Sequence, residues 1–96
     1  MPEQTTPDEI VGLSINLTTL ALQLTDKADE IAIEEHQLSI LILLLASNMV
    51  DIAKRLNEAE TPKAFDVKLG KQFIKAVSKT RLINPFIMER VNESFK

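Results

Sequence analysis

Hydrophobic residues recur along the first half of this chain at alternating steps of three and four. Ile10, Leu13, Leu17, Leu20 and Leu24 follow that spacing, and the same phase runs on through Lys27, Ile31, Glu34, Leu38, Leu41, Leu45, Asn48 and Ile52. Ten of these thirteen positions are apolar, the heptad signature of helices packed side by side. Within that run, every residue from 40 to 46 is apolar, and no Asp, Glu, Lys or Arg lies between Glu35 and Asp51. A helix that is hydrophobic all round must be buried on every side or inserted in lipid. The uncharged run is shorter than the roughly 20 residues that cross a bilayer, which favours a buried core helix.

Three cap-then-proline signals divide the chain. Thr6-Pro7-Asp8-Glu9 places a hydroxyl at the N-cap, proline at the first helical position and a glutamate three residues beyond the cap. Thr61-Pro62 and Asn84-Pro85 repeat the motif. The only polar gap in the first block is Thr25-Asp26-Lys27-Ala28-Asp29-Glu30, where Asp26 can cap a new helix. A single rod over residues 7–59 would be about 80 Å long, a shape suited to a coiled coil rather than a domain. The expectation is therefore a tight turn near 25–28 joining a helix over 7–25 to a longer one over 28–59. Their lengths would be about 29 Å and about 48 Å.

The overhanging end of the long helix then needs other cover. A helix over 62–82 would supply it through Leu69, Phe73, Ala76 and Val77, with Ile74 flanking. A fourth, over 85–95, offers Phe86, Ile87, Val91 and Phe95 at helical spacing. Gly12 and Gly70 fall inside helices, where glycine is either tolerated or marks close backbone approach. The predicted fold class is all-α: one domain, a small bundle built on a helical hairpin with two C-terminal helices.

Charge changes this picture more than composition does. The net charge of −3 hides opposed segments. Residues 1–62 hold eleven acids against three bases, and residues 63–88 hold six bases against one acid. Such opposition suggests internal complementarity or a basic surface held out for an acidic partner. Lys68, Lys71, Lys75 and Lys79 step by three, four and four along one helix, and Lys63 and Arg81 extend the stripe. At 45% hydrophobic residues the chain has ample material for a core. It has no cysteine, which removes disulfides and thiol chemistry, and its polar, acidic N-terminus does not resemble a signal peptide. A cytoplasmic location is the resulting expectation.

Little in the chain is arranged for catalysis. His36 is the only histidine, and the residues three and four away from it, Ala32, Ile33, Ser39 and Ile40, include no carboxylate to share a metal. The acids cluster at helix starts and near residues 58–60, where capping and solubility explain them. Gly70-Lys71 lacks the flanks of a phosphate loop. No catalytic residue, metal or other cofactor is expected. The functional expectation is a non-enzymatic protein-interaction module, an adaptor, inhibitor or regulator. It would self-associate as a homodimer through Leu38, Leu41, Leu45, Asn48 and Ile52. Ser47 and Asn48 are either satisfied locally, Ser47 bonding back to a carbonyl one turn earlier, or Asn48 fixes register on the seam. Lys68, Lys71, Lys75, Lys79 and Arg81 would dock an acidic protein. Nucleic-acid phosphates are the alternative occupant of that stripe, and the acidic N-terminal segment opposes binding to an anionic membrane.

Overall fold

Pro7 opens the first helix, at the position where its fixed φ and missing N–H cost nothing. The computed structural model describes residues 7–93 as four helices: α1 (Pro7–Ile31), α2 (His36–Glu58), α3 (Ala64–Ser78) and α4 (Pro85–Glu93). The all-α bundle with a hairpin and two C-terminal helices is the observed architecture, measuring 48 × 24 × 18 Å. Thr6 and Phe95 lie outside the described residues.

The hairpin turn is not where the polar gap placed it. Helix α1 runs through residues 25–30 without a break and turns at 32–35. The gap is polar because it is an outer face. Asp26, Asp29 and Glu30 are exposed, while Ala28 on the inner side is fully buried. Thr25 Oγ1 donates back to Ala21 O at 2.9 Å instead of starting a new cap. The turn closes with Glu35 N donating to Ile31 O at 2.8 Å, and α2 begins with Ser39 N donating to Glu35 O at 2.9 Å. Moving the turn makes the two helices nearly equal, 25 and 23 residues, or about 37 and 35 Å long. The expected long overhang of α2 is absent.

The turn also resets the packing phase. In α1 the buried row begins as predicted, with Ile10, Leu13, Leu17, Leu20 and Leu24, then passes to Ala28 rather than Lys27. In α2 the buried residues are Ser39, Ile42, Ala46, Met49, Ile52, Ala53 and Leu56; apart from Ile52, which the predicted seam contains, they fall one residue later than that seam. Small residues recur every seventh position in both rows: Ser14, Ala21 and Ala28 in α1, and Ser39, Ala46 and Ala53 in α2. All six are buried.

These small residues lie opposite one another. Ser14 Oγ donates to Ala53 O at 3.3 Å, and Ser39 Oγ donates to Ala28 O at 2.7 Å. The antiparallel register set by those two bonds puts Ala21 level with Ala46. Three rungs of small side chains, closed at each end by a serine, bring the two backbones together. The large residues between them, Leu17, Leu24 and Met49 among them, fill the sides. This pair is the most extensive helix contact in the molecule.

Helix α3 packs on both members of the hairpin. At Gly70 an added Cβ would lie 3.1 Å from Leu17 Cδ1 and 3.3 Å from Leu13 Cδ2, so the space beside this glycine is filled by leucine side chains of α1 rather than by a neighbouring backbone. Gly12 has nothing within 4 Å of that position and is simply tolerated. Arg55 Nε, on α2, donates to Asp66 Oδ1 on α3 at 3.3 Å, tying α3 to the C-terminal part of α2. The inner face of α3 is Val67, Gly70, Ile74 and Val77, with Leu69 and Phe73 half-buried. The predicted face was rotated too far, because Ala76 is exposed.

Helix ends differ as well. Neither Thr61 nor Pro62 begins α3: Lys63 holds the N-cap position in extended conformation, with no side-chain cap bond. At the other end Thr80 Oγ1 donates to Val77 O at 2.7 Å and accepts from Leu82 N at 3.3 Å, stopping the helix four residues short of the predicted 82. The third signal works as read. Asn84 Oδ1 accepts from Phe86 N at 2.9 Å, an N-cap for α4. Met88 and Val91 bury α4 against the bundle, and Phe86 points outward.

Candidate functional site: two outward surfaces

The fold leaves α2 with more apolar surface than it uses. Three of its seven buried residues are small (Ser39, Ala46 and Ala53), and six bulky apolar side chains stand outside. Leu38, Ile40, Leu41, Leu43, Leu44 and Val50 are all exposed, Leu41 at 62% and Leu44 at 57%. Ile33, in the turn beside them, is 96% exposed. The all-apolar stretch 40–46 is thus not buried on every side within one chain. Together the six α2 side chains expose on the order of 500 Å², within the roughly 300–600 Å² of the largest patch on a typical monomer, which is often functional.

Of the five predicted self-association residues, Leu38, Leu41 and Asn48 are exposed, Leu45 is half-buried and Ile52 is in the core. The outward line of α2 is instead Gln37, Leu41, Leu44, Asn48, Asp51 and Arg55, alternating steps of four and three and exposed throughout. Ser47 and Asn48 both stand on the outer side. The back-bonding that a helical hydroxyl can make to a carbonyl one turn earlier is made in α1, by Thr18 to Ser14 O at 3.0 Å and by Thr25.

Helix α2 is also long and apolar enough to cross a membrane by length and composition, with 33% of its most apolar stretch buried against the rest of the chain. Two features bear on that. Asp51, Lys54, Arg55 and Glu58 occupy its last two turns, and the turn before it carries Glu34 and Glu35.

The second surface is basic. Lys68, Lys71, Lys75 and Lys79 are all exposed along α3, with Gln72 between them and Phe65 exposed at the start of the same side. The acid of α3, Asp66, points the other way and pairs with Arg55. Lys63 is exposed at the N-cap of α3, while Arg81 lies past its C-terminal end. Arg81 lines a cleft of about 600 Å³ between the end of α3 and α4, whose rim also carries Glu89 and Glu93. That mixture of signs favours neither an anion nor a cation.

His36 is exposed at the first position of α2. Among the described residues no group of three or more His, Asp or Glu side chains is placed to hold a metal ion. No buried side-chain nitrogen or oxygen among them lacks a hydrogen bond. Sequence reasoning missed the line through Gln37, Leu44 and Asp51 because it followed one heptad phase through a turn. The signal that locates it is the seven-residue repeat of Ser and Ala, which marks the inner face and hence its opposite. No family model, curated protein or solved structure matches this chain.

Proposed function

We propose that this chain is a non-enzymatic interaction module that self-associates through the outward face of α2 and presents the lysine face of α3 to an acidic protein. The observation that carries the reading is the set of large apolar side chains that α2 leaves outside the hairpin, Leu41 and Leu44 foremost. Burying such a face removes apolar surface from water at about 25 cal/mol per Å². Burial against a second copy asks for no other component. The lysine face supports the second half of the reading, because its charges are exposed and its one neighbouring acid is engaged elsewhere.

The test replaces the two outermost leucines by charge. Leu41→Glu combined with Leu44→Glu should weaken association at least a hundredfold in light scattering while leaving far-UV helicity unchanged, since neither side chain belongs to the core. A wild-type chain that stays monomeric at high concentration refutes self-association. For the lysine face, Lys71→Glu with Lys75→Glu should leave the melting temperature within a degree or two, because exposed pairs contribute only about 0–1 kcal/mol. It should also abolish capture of an acidic protein.

Nucleic acid is the second reading of that face, favoured by the spacing of the lysines along one helix. It predicts binding of arbitrary duplex DNA that weakens steeply with salt through counterion release.

A further inference from the structure

The outward row of α2 reads nearly the same in both directions. Gln37, Leu41, Leu44 and Asn48 run amide, leucine, leucine, amide, and all four are exposed. A row with that symmetry is self-complementary under a two-fold axis, the operator that makes most homodimers. Resting on the self-association proposed above, we infer that two copies pair their α2 helices antiparallel about an axis between Leu41 and Leu44. Leu41 of each copy meets Leu44 of the other, in two central layers. Gln37 of each copy meets Asn48 of the other, where side-chain amides donate to and accept from one another.

Alternatives in register and direction are less favourable. Sliding one helix by a heptad places Leu41 opposite Asp51, or Leu44 opposite Glu34, burying a carboxylate against leucine without a partner. A parallel pair sets Asp51 on Asp51 and Arg55 on Arg55, and brings the two acidic turns, each with Glu30, Glu34 and Glu35, side by side. In the antiparallel pair each acidic turn meets the Lys54–Arg55 end of the other copy. Asp51 then lies level with Glu34, and Lys54 and Arg55 one turn away offset that contact. Opposed helix dipoles add to the preference.

Ile40 stands on the same side as Leu41 and Leu44 and adds to the apolar surface the pair buries, while Leu43 and Val50 lie farther round α2 and stay outside it. The acidic groups at both ends of the face disfavour a lipid surface as its occupant.

The chain has no cysteine, so single thiols report on geometry without background. Gln37→Cys and Asn48→Cys are made separately, refolded together under reducing conditions and then oxidised mildly. The antiparallel pair predicts a disulfide-linked dimer in the mixture and none from either variant alone. Residue 37 lies about 16 Å along the axis from its counterpart in that pair, far beyond the roughly 7 Å Cα separation a disulfide tolerates. Cross-linking of each variant with itself shows a parallel pair and overturns the inference. A dimer by light scattering that cross-links in none of the three samples overturns this register and leaves self-association standing. A monomer overturns both, and a monomer that floats with phosphatidylcholine vesicles assigns the face to lipid instead.

Discussion

Helices α1 and α2 are nearly equal in length and pack along each other, yet they distribute their bulk in opposite ways. In α1 four of five leucines point inward, Leu13, Leu17, Leu20 and Leu24, all essentially inaccessible, and only Leu22 faces out. In α2 the inner face is Ser39, Ala46 and Ala53 with Ile42, Met49, Ile52 and Leu56 among them, and leucines 38, 41, 43 and 44 face out. Both helices pack small residues at seven-residue spacing, but α2 leaves four leucines outside where α1 leaves one. Hydrophobic content alone does not locate a core, because the most apolar helix of this chain leaves six large apolar side chains exposed.

The sharpest way to break that contrast is to truncate one leucine on each helix. Leu17→Ala should cost about 2–5 kcal/mol, the range for a buried leucine leaving a cavity. Leu44→Ala, on the same kind of side chain, should change the stability of the monomer by less than about 0.5 kcal/mol. Urea denaturation at dilute protein concentration measures both, and equal losses would mean that α2's outer face is covered within one chain. A smaller effect is expected from adding bulk where α2 is small. Ala46→Leu should destabilise by about 1–3 kcal/mol through overpacking, although leucine is nearly as good a helix former as the alanine it replaces. A neutral result would show that the helices stand too far apart for the small rungs to matter. The smallest effect belongs to the serines. Ser14→Ala should cost about 1 kcal/mol, the net contribution of one internal hydrogen bond, and Ser39→Ala the same.

Much of the fold was legible in the chain. Proline at residues 7 and 85 marks the helix starts observed there, and Asn84 caps as its side chain predicts. The turn was not legible. Residues Ala32-Ile33-Glu34-Glu35 contain no Gly, Pro, Asn or Ser, so no residue preference announces a break. The polar run at 25–30 looked like one only because a solvent face and a loop share their composition. Once the turn is misplaced, the α2 seam up to Asn48 is assigned one residue early, which moved it from Ser39, Ile42 and Ala46 to Leu38, Leu41 and Leu45, while Ile52 is buried as expected. For α3 a similar rotation came from counting large residues and overlooking that glycine can occupy the centre of a buried face. The lysine face needed no such inference, since charge is exposed wherever a helix allows.

The serine-closed ladder between α1 and α2 has a mechanical consequence. Helices in contact commonly accommodate change by sliding past one another in small steps. Here a slip of even one turn, about 5.4 Å, would break both serine bonds at once and drive leucine side chains against rungs sized for alanine. The hairpin is therefore stiff against shear, like a ratchet with its pawl engaged at both ends. Deformation is left to the elements held by fewer contacts, α4 above all, whose packing on the other helices is the sparsest in the molecule. In hydrogen exchange the amides of α4 should open first and alone, while those beside Ala21 and Ala46 should exchange only when the whole chain unfolds.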